Sequence, residues 1–110
     1  MEIIEAIEAL GALGQESRLR VFRLLVRAGP EGVPAGEIAE QLRVPANRMS
    51  SHLAVLSRGR IGVVAQARPV GDLCRDLKGT RKLLAFLVED CCQGKPEVCR
   101  PLLACLRECC

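Results

Sequence analysis

The residues best equipped for chemistry lie near the end of the chain. Cys91-Cys92-Gln93-Gly94-Lys95-Pro96-Glu97-Val98-Cys99 sets two adjacent thiols before a loop containing Gly and Pro, and that loop lets a third sulfur fold back over the first two. Three thiolates around one ion suit a soft, three-coordinate centre such as As(III) or Sb(III), because sulfur selects soft ions and each thiol must lose its proton to bind. Lys95 and Arg100 favour the thiolates electrostatically. Zinc fits less well, since it usually takes four ligands, often with His, and the one histidine, His52, is remote in sequence. Cys105, Cys109 and Cys110 are weaker candidates: an extra ligand, a second ion, or no role. Cys74 carries little weight. The ordinary alternative for the cluster is buried or incidental cysteines, or a disulfide, since free Cys packs as a small apolar residue.

A second group is polar and could read nucleic acid. Met49, Leu53 and Leu56 repeat at i, i+4 and i+7 and fix the core face of a helix from Ala46 to about Arg58. Asn47, Arg48 and Ser51 then point away from that face, with Ser50 and His52 flanking. Asn pairs with adenine, Arg with guanine or phosphate, and Ser with either. The plainer alternative is the solvated face of an α-hairpin.

The elements that must position these groups are mostly helices. Ile3, Ile4, Ile7 and Leu10, with Glu between them, predict a first helix over 2–13 that ends at Gly14. Ser17 is the expected cap of a second helix through Ala28, with Leu19, Phe22, Leu25 and Val26 facing inward and Gly29-Pro30 ending it. Glu31-Gly32-Val33 reads as loop. Pro34 suits the start of a third helix over 35–42, which buries Ile38, Ala39 and Leu42. Arg43-Val44-Pro45 is a tight turn into the fourth helix, and two short helices so joined are the helix-turn-helix pattern. Residues 59–75 are broken by Gly59, Gly62, Pro69 and Gly71 and read as weak strands or loop. Leu83, Leu84, Leu87 and Val88 mark another helix over Thr80–Cys91, and 101–109 a last short one.

Composition bounds the answer. The chain has 110 residues, 49 % of them hydrophobic and 26 % charged, a globular balance with room for one domain. No apolar run is long enough to span a membrane. Met1 leads straight into Glu2-Ile3-Ile4-Glu5, without a basic start or a signal core, so a cytoplasmic protein is expected. The net charge of +3 is modest, but it is unevenly spread. Glu2, Glu5, Glu8 and Glu16 stand without a base in the first sixteen residues. Arg43, Arg48, Arg58, Arg60 and Arg68 stand without an acid in segment 43–68, a basic middle that suits an anion. With Phe22 and Phe86 the only aromatics, stacking platforms for single strands are not expected. Six of the 7 cysteines follow residue 90, and in a reducing compartment such a cluster more often binds metal or senses redox than forms structural disulfides.

Ala12-Leu13-Gly14-Gln15-Glu16-Ser17-Arg18-Leu19-Arg20-Val21-Phe22-Arg23-Leu24-Leu25 resembles the opening of the ArsR/SmtB family of bacterial metal-responsive repressors. Gly36-Glu37-Ile38-Ala39, followed by Ser50-Ser51-His52-Leu53-Ala54-Val55-Leu56, is similar to that family's helix-turn-helix. The resemblance covers roughly 9–58 and 76–99. It implies a mainly α, dimeric winged helix-turn-helix repressor of about five helices, with the first and last long helices at the dimer interface. Residues 1–92 would form the dimerisation and DNA-binding domain, and 93–110 a Cys-rich extension. Cys91, Cys92 and Cys99 resemble the C-terminal arsenite site of some arsenical-resistance repressors. The family's Cys-x-Cys variant within the helix-turn-helix is excluded, because 35–45 contain no Cys.

Residues 59–75 depart from the family. Its β-wing is usually rich in Arg and β-branched residues and often carries a Tyr, whereas this segment lacks an aromatic and any strand alternation. One explanation is a short or degraded wing, in which Arg60 and Arg68 still meet phosphate. The other is a local frameshift: codon degeneracy lets Ala65–Arg75 be encoded so that the next frame reads R-K-R-D-R-S-V-I-Y-A, similar to an ordinary family wing.

The expected function is therefore repression at operator DNA, relieved when arsenite or antimonite binds the C-terminal cysteines. A thiol redox sensor on the same fold is the nearest rival. A small thiol oxidoreductase or arsenate reductase is the rival of another class. It needs a Cys-x-x-Cys pair or an activated Cys in an oxyanion loop, and neither is present.

Overall fold

The computed structural model describes residues 1–29, 32–60, 64–65, 72–74, 77–88, 97, 100–102 and 104. The elements are α1 (Ile3–Leu13), α2 (Glu16–Ala28), β1 (Val33–Pro34), α3 (Ala35–Leu42), α4 (Ala46–Arg58), β2 (Val64–Ala65), β3 (Asp72–Cys74) and α5 (Leu77–Leu87). The backbone is again helical at Glu97, at Arg100–Leu102 and at Ala104.

Each helix begins and ends for a local reason. Glu2 and Glu5 form a capping box at the start of α1. The cap of α2 is Gln15, not Ser17: its side-chain carbonyl accepts the Arg18 N–H at 2.9 Å. Ser17 lies inside the helix, one residue past its first turn's start. The chain leaves α2 through Gly29 at φ 82° and reaches β1 through Gly32 at φ 77°, a backbone that side chains with a Cβ resist.

α2, α3 and α4 pack against one another, and α1 lies across α2 and α4. The core holds Val21, Leu25, Ile38, Met49, Leu53 and Leu56, with Ala6, Ala9 and Ala12 of α1 and Leu83 of α5. In α2 the buried pair is Val21 and Leu25, while Leu19 and Val26 are exposed and Phe22 is half-buried. This corrects the expected inward face. α2 is apolar on several sides, so its spacing admits more than one face, and contact with α1, α3 and α4 selects one.

Two contacts fix α1 on this core. The Arg18 Nε donates to the Ala12 carbonyl at 2.6 Å, which satisfies an end of α1 that has no basic residue of its own. Gly59 passes so close to α1 that a Cβ there would lie 3.0 Å from the Ala12 Cβ.

The sheet has the order β1-β3-β2 and is antiparallel throughout. Val33 stands opposite Leu73 and Pro34 opposite Asp72, while Val64 faces Cys74 and Ala65 faces Leu73 on the other edge of β3. Val33 is thus strand, not loop, and β2 with β3 forms a hairpin wing after α4. Strands of two or three residues leave no alternation to read, and their partners lie far away in sequence. Pro34 is tolerated because β1 is an edge. The fold is mainly α, a helix-turn-helix with a short wing. α5 starts at Leu77 rather than Thr80. The end of the expected helix at Cys91, and most of 101–109, lie outside the described residues.

Candidate nucleic-acid interface

The turn between α3 and α4 sets the angle of α4. Arg43 adopts the left-handed conformation, φ 54° and ψ 44°, and reverses the chain as α3 ends. Its N–H donates to the Glu40 carbonyl at 3.2 Å, and that of Val44 to the Ala39 carbonyl at 3.1 Å, so the last carbonyls of α3 are satisfied. Pro45 is extended, with φ −55° and ψ 143°, and its carbonyl accepts the Met49 N–H at 2.9 Å to open α4.

α4 is anchored by Met49, Leu53 and Leu56, all buried. The same rotation leaves Asn47, Arg48, Ser50 and Ser51 exposed and His52 half-buried, so these five share the N-terminal half of one helix. The Asn47 Oδ1 accepts the backbone N–H of Arg48 at 2.9 Å, which leaves its amide nitrogen to donate. The Ser51 Oγ donates to the Asn47 carbonyl at 3.4 Å. No acidic residue lies in the first turn of α4, where carboxylates usually collect.

Arg60 stands apart, past the end of α4, in the left-handed region at φ 52° and exposed. Arg43, Arg48, Arg58 and Arg60 form no ion pair among the described residues. Arg43 and Arg58 were not singled out as site residues by the sequence. The signal for Arg43 was its place in the turn between α3 and α4, where its side chain is exposed.

Arg68 and all six C-terminal cysteines, Cys91, Cys92, Cys99, Cys105, Cys109 and Cys110, lie outside the described residues. Among the described residues no group of three His, Cys, Asp or Glu could hold a metal ion. No described helix is long and apolar enough to cross a membrane.

Such a face can donate and accept hydrogen bonds along a groove edge and neutralise phosphates beside it. Residues 13–66 match a family model described as a helix-turn-helix domain, a span running from the end of α1 through β2. No curated protein matches the chain. Residues 13–66 are thus similar to a helix-turn-helix domain, a kind that suggests a DNA-binding transcription regulator, and α3 and α4 both lie within the matched span.

Proposed function

We propose that the protein is a metalloid-responsive transcriptional repressor of the ArsR/SmtB kind. It binds operator DNA as a homodimer and is released when As(III) or Sb(III) binds Cys91, Cys92 and Cys99. The observation that carries the DNA half of this reading is α4. Met49, Leu53 and Leu56 are buried, while Asn47, Arg48 and Ser51 are exposed and the first turn of α4 holds no acidic residue. Asn47 and Arg48 would read base edges in the major groove, and Arg60 and Arg68 would contact phosphate through the wing.

The dimer is supported by two exposed apolar faces. Ile3, Ile4 and Ile7 of α1 are 63, 69 and 61 % exposed, and Leu84 and Leu87 of α5 are 44 and 50 % exposed. A soluble monomer rarely leaves such a stripe in water. A two-fold pair would set its two α4 helices about 34 Å apart, one turn of DNA.

The inducer half rests on the donor set. Three thiols within nine residues suit a soft, three-coordinate ion better than zinc. Binding would favour a dimer geometry in which the two α4 helices no longer fit successive grooves, and by linkage DNA would weaken metalloid binding to the same degree.

A gel shift on the operator upstream of its own gene, titrated in parallel with arsenite, zinc and peroxide, tests this reading. Release by arsenite is expected. Replacing Cys91, Cys92 or Cys99 with Ser should preserve DNA binding and abolish release, since a hydroxyl is a hard donor that does not ionise near neutral pH. Replacing Cys105, Cys109 and Cys110 together should change the response much less. If peroxide releases the protein and arsenite does not, the thiol redox sensor replaces this reading.

A further inference from the structure

A groove in the molecule lies away from α4. It runs between α2 and α3, is lined also by Val33 of β1, and has a volume of about 560 Å³. None of its lining residues belongs to α4, so it opens on the side of the α2–α3 pair that the recognition helix does not cover. That volume is in the range of small-molecule sites.

The groove has an apolar floor and a cationic rim. Leu24, Val33 and Leu42 form the floor, with Val33 buried and the two leucines half-buried. Arg20, Arg23 and Arg27 line the rim from a single face of α2. Arg20 is occupied by Glu16 at 2.6 Å. Arg23 and Arg27 form no ion pair among the described residues, although they stand at i and i+4, where like charges repel. The dipole at the end of α2 accounts for a base at Arg27, in its last turn, but not for a second base one turn earlier.

We infer that this groove binds a small organic monoanion, a carboxylate carrying a short apolar body. Two guanidiniums one turn apart present parallel N–H donors to a carboxylate, and the floor beneath them takes the hydrocarbon. The opposite wall sets the charge limit. There Gln41 donates to the Glu37 carboxylate at 3.1 Å, and that carboxylate repels a dianion or a polyphosphate chain. Its described lining includes no cysteine and no residue of α4, and so it adds a second class of ligand to the proposed regulator.

Titration of the full-length protein with hexanoate, followed by backbone amide NMR shifts, tests the inference. Saturable shifts are expected in α2 and α3. Hexanamide, which lacks the charge, should bind about tenfold more weakly, the loss expected for one charge-assisted hydrogen-bonding group, and acetate, which lacks the body, should bind at least about tenfold more weakly from the apolar burial lost. Arg23→Ala with Arg27→Ala should weaken hexanoate by at least about tenfold, and both positions are exposed, so the fold should survive as read by circular dichroism. Arg23→Lys with Arg27→Lys keeps the charge but loses the fork, and should fall between. Equal binding of hexanamide, unchanged affinity in the Ala variant, or no saturation with hexanoate overturns the inference. So does the finding that the Ala variant instead weakens binding to non-operator duplex DNA, which would make the stripe a phosphate contact.

Discussion

α1 and α4 are amphipathic helices of 11 and 13 residues that turn opposite faces to water. α4 hides its large apolar side chains and shows Asn47, Arg48 and Ser51. α1 does the reverse. Its inward face is Ala6, Ala9 and Ala12, while Ile3, Ile4 and Ile7 stand in solvent. The small inward residues let α1 lie close on α4, close enough that a Cβ at Gly59 would crowd Ala12. A helix that shows polar groups is suited to a wet, charged groove. One that shows isoleucines is suited to another apolar surface.

The sharpest way to break this comparison is to delete the same methyl groups on each side. Leu56→Ala should destabilise the fold by about 2–5 kcal/mol, a large share of the stability of a small domain, and a denaturant melt measures it. Ile7→Ala should change the melt of a dilute monomer very little, because Ile7 is already in water. If the α1 face covers itself in a dimer, the loss reappears as concentration dependence.

The next effect sharpens that point. Ile4→Glu with Ile7→Glu should shift the dimer equilibrium by about 3 kcal/mol or more, from the apolar burial lost at two side chains, and sedimentation at micromolar concentration reads it. A monomeric mass for the unmodified protein would instead remove the reason offered for the exposed isoleucines.

On the α4 side, Asn47→Ala and Arg48→Ala should each weaken operator binding by about 1–3 kcal/mol, measured by fluorescence anisotropy at fixed salt. Arsenite affinity in the absence of DNA should not change. Wild-type operator affinity in both variants would take α4 out of its assigned place.

The smallest effect concerns the turn that aims α4. Arg43→Gly relieves a left-handed residue with a Cβ and should raise stability by up to about 1 kcal/mol. If the Arg43 side chain meets phosphate, the same change should weaken DNA binding and reduce its salt dependence by about one phosphate contact.

Much of this was legible along the chain. α1, α3 and α4 each carry one dominant apolar period, with Gly14, Pro34 and Pro45 at their ends, so their spans follow from local rules. The polar face of α4 was legible for the same reason: once Met49, Leu53 and Leu56 are assigned inward, Asn47, Arg48 and Ser51 have one direction left. The exceptions share a cause. α2 has apolar residues on several sides, and Leu19 and Val26 fit a core face as well as Val21 and Leu25 do. The cap of α2 depends on where the helix starts: Gln15 accepts the Arg18 N–H three residues on, whereas Ser17 would have capped a helix starting two residues later. The groove between α2 and α3 was invisible, because its walls come from residues 20–27 and 33–42 and its shape exists only when they pack.

The sequence by itself determined the helices, the outward chemistry of α4 and the presence of three thiols at close spacing, because periodicity and residue type act within a few turns of chain. Tertiary structure decided the face of α2, the pairing of Val33 with Leu73 across the sheet, and the bracing of α1 by Arg18 and Gly59. These depend on partners distant in sequence, and a two-residue strand or a helix apolar on several sides has no local preference strong enough to choose among them.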